Sequence, residues 1–147
     1  GEHADHLITA ADPEHVAEVV VPNFEIGLQR SGRTLADADL TTEFLANVGD
    51  PDALVAEVRE RGEYLPTDTE RDNPDPRDIQ RVADERLAAM TDREVREASN
   101  ITDDPADLVA KLDALESAGI DRVLVGSTCG DPRRTIATFE EHVIPKF

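Results

Sequence analysis

The sequence predicts an α/β protein in which short parallel strands alternate with helices. The main observation is a pattern that occurs three times: a short strand, a loop, an Asp-Pro pair and an amphipathic helix. The pairs are Asp12-Pro13, Asp50-Pro51 and Asp131-Pro132. Asp favours the position before a helix and Pro its first turn, because these residues suit the unpaired amides there. Regular alternation of strands and helices is typical of a parallel sheet or barrel.

The first unit comprises a strand over residues 5–9 and a helix that Asp12 caps and Pro13 opens. Pro22 lies inside this helix and lacks the N–H that an interior position must donate, so a kink or restart is expected near Val21. Gly32 ends the helix. His3 and His6 are considered as a metal pair, but no third ligand stands at suitable spacing, so no metal site is expected.

The second unit begins with a strand within residues 38–48, in which apolar residues alternate with polar ones at first. The helix that follows, residues 51–62, carries Leu54, Val55 and Val58 on one face. The stretch of about residues 63–76 is polar, rich in proline and without periodicity, so it is interpreted as an insertion that is either a lid or a linker.

Helices are expected over residues 78–90 and 106–118, and a short helix between them begins at a capping box formed by Thr91 and Glu94. The later helix has an apolar stripe of Leu108, Val109, Leu112 and Leu115. The third strand, residues 121–126, follows, and the last helix runs over residues 132–143.

The loop after the third strand contains Ser127, Thr128, Cys129 and Gly130, whose small side chains leave backbone amides approachable. Ligands of parallel α/β proteins bind at the carboxyl ends of the strands, where this loop lies. An ordinary strand-to-helix connection explains the same residues equally well.

A chain of 147 residues is expected to form a single domain, residues 1–147. Three strands cannot close a barrel, and a complete (β/α)₈ barrel needs about 250 residues. The chain is therefore either a small α/β domain or the last part of a barrel. Its start at Gly1 is that of a cut or tagged chain, so the sequence is treated as incomplete.

The charge is strongly negative, with 33 acidic against 15 basic residues and a net charge of −18. The acids are spread evenly, which indicates a solvated acidic surface of the kind that halophiles use in a salt-loaded cytoplasm. This charge argues against nucleic-acid binding. The one cysteine, Cys129, excludes an intrachain disulfide and favours a packing role over that of a redox-sensitive thiol. Neither a membrane span nor a signal peptide is expected.

Four segments in order resemble a known family. Gly1-Glu-His-Ala-Asp-His-Leu-Ile-Thr9 is similar to the Gly-x-x-Ala-Asp-Gly-x-Ile-Thr segment of luciferase-like, flavin- or deazaflavin-dependent oxidoreductases, with His6 in place of the usual Gly. Residues 21–33 resemble the next helix of the family. Residues 118–125 and 140–145 resemble its final strand and helix. Residues 81–104 most resemble the subgroup of F420-dependent glucose-6-phosphate dehydrogenases.

The resemblance implies the carboxy-terminal part of a (β/α)₈ barrel that uses coenzyme F420, or alternatively FMN, to transfer hydride. It implies a sugar, a sugar phosphate or a similar small substrate, a cytoplasmic location and a homodimer at full length. The acid and base residues of the glucose-6-phosphate enzymes belong to the amino-terminal half, so no catalytic residue is assigned in this chain. A methylenetetrahydromethanopterin reductase, an FMN monooxygenase and a non-catalytic acidic α/β binding module remain as alternatives.

The same resemblance places a phosphate-binding arginine after the last strand, where Arg133 and Arg134 stand. A guanidinium beside a helix start suits an anion, although both side chains could equally be surface arginines paired with nearby acids. Arg71, in the polar insertion, is a weaker candidate. The predicted substrate- or phosphate-binding set is therefore Arg133, Arg134, Ser127, Thr128, Gly130 and Arg71.

Overall fold

The computed structural model describes residues 1–10, 13–62 and 75–147. The described chain divides into two compact units. One comprises Gly1–Leu45, Pro105–Gly126 and Val143–Phe147, and the other comprises Ala46–Asp104 and Ser127–His142. The single domain expected from the sequence stays a prediction.

Strands and helices alternate as the sequence predicts. The strands are β1 (His6–Thr9), β2 (Asp39–Leu45), β3 (Asn47–Val48), β4 (Ile101–Thr102) and β5 (Arg122–Gly126). The α-helices are α1 (Pro13–His15), α2 (Val21–Arg30), α3 (Pro51–Arg61), α4 (Pro76–Ala89), α5 (Asp92–Ala98), α6 (Pro105–Ser117) and α7 (Pro132–Thr138). Most of the predicted bounds agree with these within two residues, whereas the last helix continues after Thr138 as a π-helical turn, Phe139–Val143, and a short 3₁₀ turn, Ile144–Lys146.

The first unit contains a parallel sheet of three strands in the order β1-β2-β5. Leu40 and Phe44 of the central strand are buried, as are several apolar residues of the unit's helices, among them Leu28 and Leu108. The opposite face carries two exposed apolar residues. Ile8 and Leu124 pair in register with Thr41 and Glu43, which are two positions apart on β2 and so share one face. Ile8 is 59% exposed and Leu124 is 50% exposed.

The helix of the first unit restarts near Val21, as predicted from Pro22. A π-helical turn, Val16–Val20, precedes α2, and the N–H of Val21 donates to the carbonyl of Val16, five residues back. Pro22 then lies in the first turn of α2, where no N–H is needed. The chain is therefore helical on both sides of Val21, with Pro22 placed where its missing N–H costs no hydrogen bond.

The second unit holds the short parallel pair of β3 and β4. The strand predicted within residues 38–48 is β2, which ends at Leu45. Asn47 and Val48 form an additional strand that was not predicted and that pairs with β4. β4 was missed, because two residues are too few to give a periodic pattern. Ala46, which belongs to neither strand, separates the two pairings.

The core of this unit is one apolar cluster. Leu54, Val55 and Val58 of α3 are buried in it, as the sequence predicts. Its other members are Leu87, Val95, Ile101 and Cys129, with Met90 at its border. Gly62 ends α3 in the left-handed region at φ 65°, and the capping box of Thr91 and Glu94 is present at the start of α5.

Candidate functional site

The loop of residues 127–130, which follows β5 in the chain, is held by the side chain of Asn47. The Oδ1 atom of Asn47 accepts the N–H of Thr128 at 2.8 Å and the N–H of Cys129 at 3.0 Å. Its Nδ2 atom donates to the carbonyl of Ser99 at 2.6 Å. Asn47 is fully buried, with 0% of its surface exposed. The amide therefore ties the loop to the end of α5 and the start of β3.

Helix α3 holds the same loop from a second side. Glu57 Oε2 accepts the N–H of Gly130 at 3.0 Å, and its Oε1 lies 2.8 Å from Arg61 Nη2. Arg61 Nη1 donates to the carbonyl of Thr128 at 2.6 Å. Gly130 itself has φ 72°, and a Cβ there would lie 2.7 Å from Leu54 Cδ2. This position therefore requires glycine for both its backbone conformation and its packing.

The backbone amides of the loop are already used by the chain. Those of Thr128 and Cys129 donate to Asn47 and that of Gly130 to Glu57, while the Ser127 hydroxyl donates to Asn47 Oδ1 at 3.2 Å. A carboxylate next to Gly130 also repels an anion. The expectation that these amides are open to a ligand is therefore wrong for this conformation. The assignment of Ser127, Thr128 and Gly130 to a phosphate site stays a prediction.

Cys129 lies in the apolar cluster of the second unit and is 4% exposed. A thiol that is buried among aliphatic side chains behaves as a small apolar residue. The packing role favoured by the sequence is the one that this burial supports.

The two predicted phosphate-binding arginines lie in the first turn of α7. Asp131 caps this helix through the N–H of Arg133 at 3.0 Å. The side chains of Arg133 and Arg134 are exposed. Within the described part of the chain, neither guanidinium lies within ion-pair distance of a carboxylate. The alternative in which both are neutralised by nearby acids thus has no support among those residues.

Three further residues were singled out from the sequence: Arg71, Asp12 and His6. Arg71 and Asp12 lie outside the described residues. His6, at the amino end of β1, has its Nε2 atom 2.6 Å from the hydroxyl of Thr41.

No group of three or more metal-ligating side chains occurs in residues 1–10, 13–62 and 75–147. No helix of that described part is long and apolar enough to cross a membrane.

The clearly shifted carboxyl pKa values lie at helix starts and not in the loop. The backbone and hydroxyl of Thr34 lower the pKa of Asp37, and the guanidinium of Arg77 lowers that of Asp75. The Thr91 hydroxyl, followed by its N–H, lowers the pKa of Glu94. These shifts report helix capping, since a carboxylate that accepts hydrogen bonds is easier to ionise.

Comparison with known proteins finds relatives over the whole chain. A 5,10-methylenetetrahydromethanopterin reductase of Methanopyrus kandleri is 27% identical over 161 aligned positions, which cover 100% of this chain and 46% of the reductase. The solved coenzyme F420-dependent tetrahydromethanopterin reductase from the same organism matches with a TM-score of 0.66 and 25% identity, over 99% of this chain and 46% of that one. No protein-family model matches the chain.

A second solved structure extends the likeness. An F420-dependent secondary alcohol dehydrogenase in complex with an F420-acetone adduct matches with a TM-score of 0.69 and 24% identity, over 98% of this chain and 43% of the dehydrogenase. The relatives are luciferase-like F420-dependent enzymes. The family resemblance read from the sequence is confirmed at this level. The nearer likeness to F420-dependent glucose-6-phosphate dehydrogenases stays a prediction.

The structural neighbours among these luciferase-like enzymes are (β/α)₈ barrels, so the expected fold class is confirmed: the chain consists of parallel βα units that correspond to part of such a barrel. It spans less than half the length of the relatives that it matches.

Sequence reasoning missed Asn47, Glu57 and Arg61, the three side chains that hold the loop. One signal was present: Asn47 is the one polar residue in the run from Phe44 to Val48. A polar side chain in an apolar run is buried only where its hydrogen bonds are satisfied. That rule marks the position but does not name the distant partners.

Proposed function

We propose that the chain forms part of an oxidoreductase that transfers hydride to or from coenzyme F420. The observation that carries this proposal is the likeness of 98% or more of the chain to two F420-dependent enzymes, with TM-scores of 0.69 and 0.66. A non-catalytic α/β binding module would share the fold, since fold alone does not determine function. The sequence likeness to a reductase of the same cofactor class favours the enzyme.

When bound, F420 supplies a deazaflavin carbon that accepts or gives hydride. Arg133 and Arg134 fit an anionic part of a ligand, because both guanidinium groups are exposed and neither has an ion pair among the described side chains. Arginine presents several donors in a planar fork that matches a phosphate or a carboxylate. Their role is to bind and orient, and proton transfer falls to other residues of the full enzyme.

Two substrate classes follow from different observations. A pterin-type one-carbon carrier is favoured by the reductase that is 27% identical over the whole chain. A sugar phosphate is favoured by the paired arginines after β5 and by the subgroup resemblance of residues 81–104. The whole-chain likeness is the stronger of the two arguments. A pterin-type one-carbon carrier, as in a methylenetetrahydromethanopterin reductase, is therefore the first substrate class to test.

The cofactor test is an absorbance titration of the protein expressed from its complete reading frame, with F420 and separately with FMN. Saturable binding of F420 and weaker or no binding of FMN is expected. Tighter binding of FMN than of F420 would indicate a flavin-dependent enzyme instead. If neither binds, the enzyme proposal fails and the binding-module alternative takes its place.

The substrate test uses the same protein loaded with F420. Oxidation of reduced F420 by a methylene-tetrahydropterin and reduction of F420 by glucose 6-phosphate are compared side by side. The variant Arg133→Gln/Arg134→Gln should raise KM for the accepted anionic substrate. Arg93→Gln is the matched control, because Arg93 is an exposed arginine whose partner is Glu97 in the same helix. If the double variant keeps the KM of the wild type, the arginines do not bind the substrate.

The remaining expectations fit this proposal and await measurement. They are a halophilic, acid-rich surface, a cytoplasmic location, a homodimer at full length and no nucleic-acid partner. The net charge of −18 supports the first and the last of these. Sedimentation of the complete protein in molar KCl would test the dimer.

A further inference from the structure

The backbone on both sides of Asn47 is held by hydrogen bonds between two strands. Its N–H donates to the carbonyl of Asn100 at 3.1 Å, and the N–H of Gly49 donates to the carbonyl of Thr102 at 3.1 Å. These bonds form the ladder of β3 and β4. The backbone of Asn47 is thus bonded on both sides, and its side chain is fully buried, so its position is closely constrained.

The amide matches the loop in a way that other side chains do not. Its oxygen accepts two backbone N–H groups and the Ser127 hydroxyl, and its nitrogen donates to the carbonyl of Ser99 at 2.6 Å and lies 3.4 Å from the hydroxyl of Thr128. An aspartate would keep the acceptor but place a carboxylate against that carbonyl. An alanine would break two buried hydrogen bonds, those to the N–H of Cys129 and to the carbonyl of Ser99, which water cannot easily replace. It would also break the part-buried bond to the N–H of Thr128.

The loop that this amide holds leads directly into the arginine pair. Only Asp131 and Pro132 separate residues 127–130 from Arg133. Glu57 and Arg61 also hold the loop, but their side chains are 30% and 59% exposed, so water competes for their hydrogen bonds. The buried Asn47 is therefore the stronger of the two attachments.

We propose that Asn47 is a positioning residue: it fixes the loop of residues 127–130 and thereby the place from which the first turn of α7 meets a ligand. The inference rests on the proposed function for the identity of that ligand. The attachment of the loop itself is independent of it. Asn47 touches the loop backbone and acts through it.

The accessibility of the Cys129 thiol reports whether the loop is attached, because the N–H of Cys129 is bonded to Asn47 and the residue is buried. In the protein from the complete reading frame, labelling of Cys129 by a thiol reagent is followed by peptide mass spectrometry. Asn47→Ala should speed labelling about tenfold or more, since the loss of buried hydrogen bonds is of that size. This fast labelling should not depend on added urea, because the opening is local.

Two controls separate loop attachment from general destabilisation. Val58→Ala removes core volume in the same unit, where Val58 is 0% exposed, and its labelling should rise only with urea, in step with global unfolding. Thr135→Val removes a buried hydroxyl near the carbonyl of Ala46 and should label like the wild type. Asn47→Asp, which fills the same space, serves if Asn47→Ala does not fold, and it should also label faster.

The ligand measurement is KM for the accepted anionic substrate, with each of these variants loaded with F420. Asn47→Ala and Asn47→Asp should raise this KM about tenfold relative to Val58→Ala of equal urea midpoint. Slow labelling and an unchanged KM in both Asn47 variants would overturn the proposal. So would fast labelling without a rise in KM. If the wild type does not bind F420, the proposed function fails, and the labelling rates alone then decide whether Asn47 fixes the loop.

Discussion

Arg59 joins three helices of the second unit, and its replacement should measurably destabilise the protein. From α3 its guanidinium donates to the carbonyl of Leu87 at 2.9 Å and to the carbonyl of Met90 at 2.8 Å. Both carbonyls lie at the end of α4, where helix carbonyls lack partners within the helix. The same group pairs with Asp92, in the first turn of α5, at 2.8 Å.

The size of the effect follows from these contacts. A hydrogen bond to a charged donor contributes about 1.5–3 kcal/mol, but the Arg59 side chain is 31% exposed, so water replaces part of what is lost. The pair with Asp92, whose side chain is 75% exposed, adds ~0–1 kcal/mol. Arg59→Met keeps most of the aliphatic stem and should lower the free energy of unfolding by about 2 kcal/mol in all.

The assay is urea unfolding followed by far-UV circular dichroism. With a slope of about 2 kcal/mol per molar urea, the midpoint should fall by about 1 M. Arg93→Met is the matched control: Arg93 pairs only with Glu97 in its own helix among the described residues, and such pairs contribute about 0.3–0.5 kcal/mol. If Arg59→Met loses no more stability than Arg93→Met, the three-helix role assigned to Arg59 is refuted.

Two further predictions concern charge. The hydrogen bonds from Thr91 lower the pKa of Glu94 in the folded protein, so their stabilisation is present above the ordinary Glu pKa and is lost as the pH falls through the lowered one. Thr91→Val should therefore lose less stability than the wild type on acidification in urea titrations, and equal losses would contradict the ionised cap. The net charge of −18 predicts that the melting temperature rises when KCl is increased from about 0.1 M to about 1 M, because the screening length falls from ~10 Å to ~3 Å. Sucrose at equal osmolality is the control, and an equal rise in sucrose would show that charge screening is not the cause.

The features that could be predicted are those whose causes lie within a few residues. The Asp50 and Asp131 caps and the box of Thr91 and Glu94 all occur where the sequence places them. Each depends on side chains that bond backbone groups two to four positions away. The apolar face of α3 is predictable for the same reason, since the spacing of its residues sets which side is buried.

The candidate site was less predictable. Small residues after β5 indicated an open, ligand-binding loop, but they could not show that its amides are already bonded. The donors belong to residues 128–130 and the acceptors to Asn47 and Glu57, which are 73 to 82 positions away. A periodic pattern carries no information about such pairings.

The sequence by itself determined the order of strands and helices, the places where helices begin and end, the strongly acidic charge and the family resemblance. Local backbone preferences and composition suffice for all of these. Only the tertiary structure decided that the second strand breaks at Ala46, that β3 pairs with β4, and that Asn47 reaches the loop after β5. These features depend on hydrogen bonds between distant residues, which form only when the whole unit has folded.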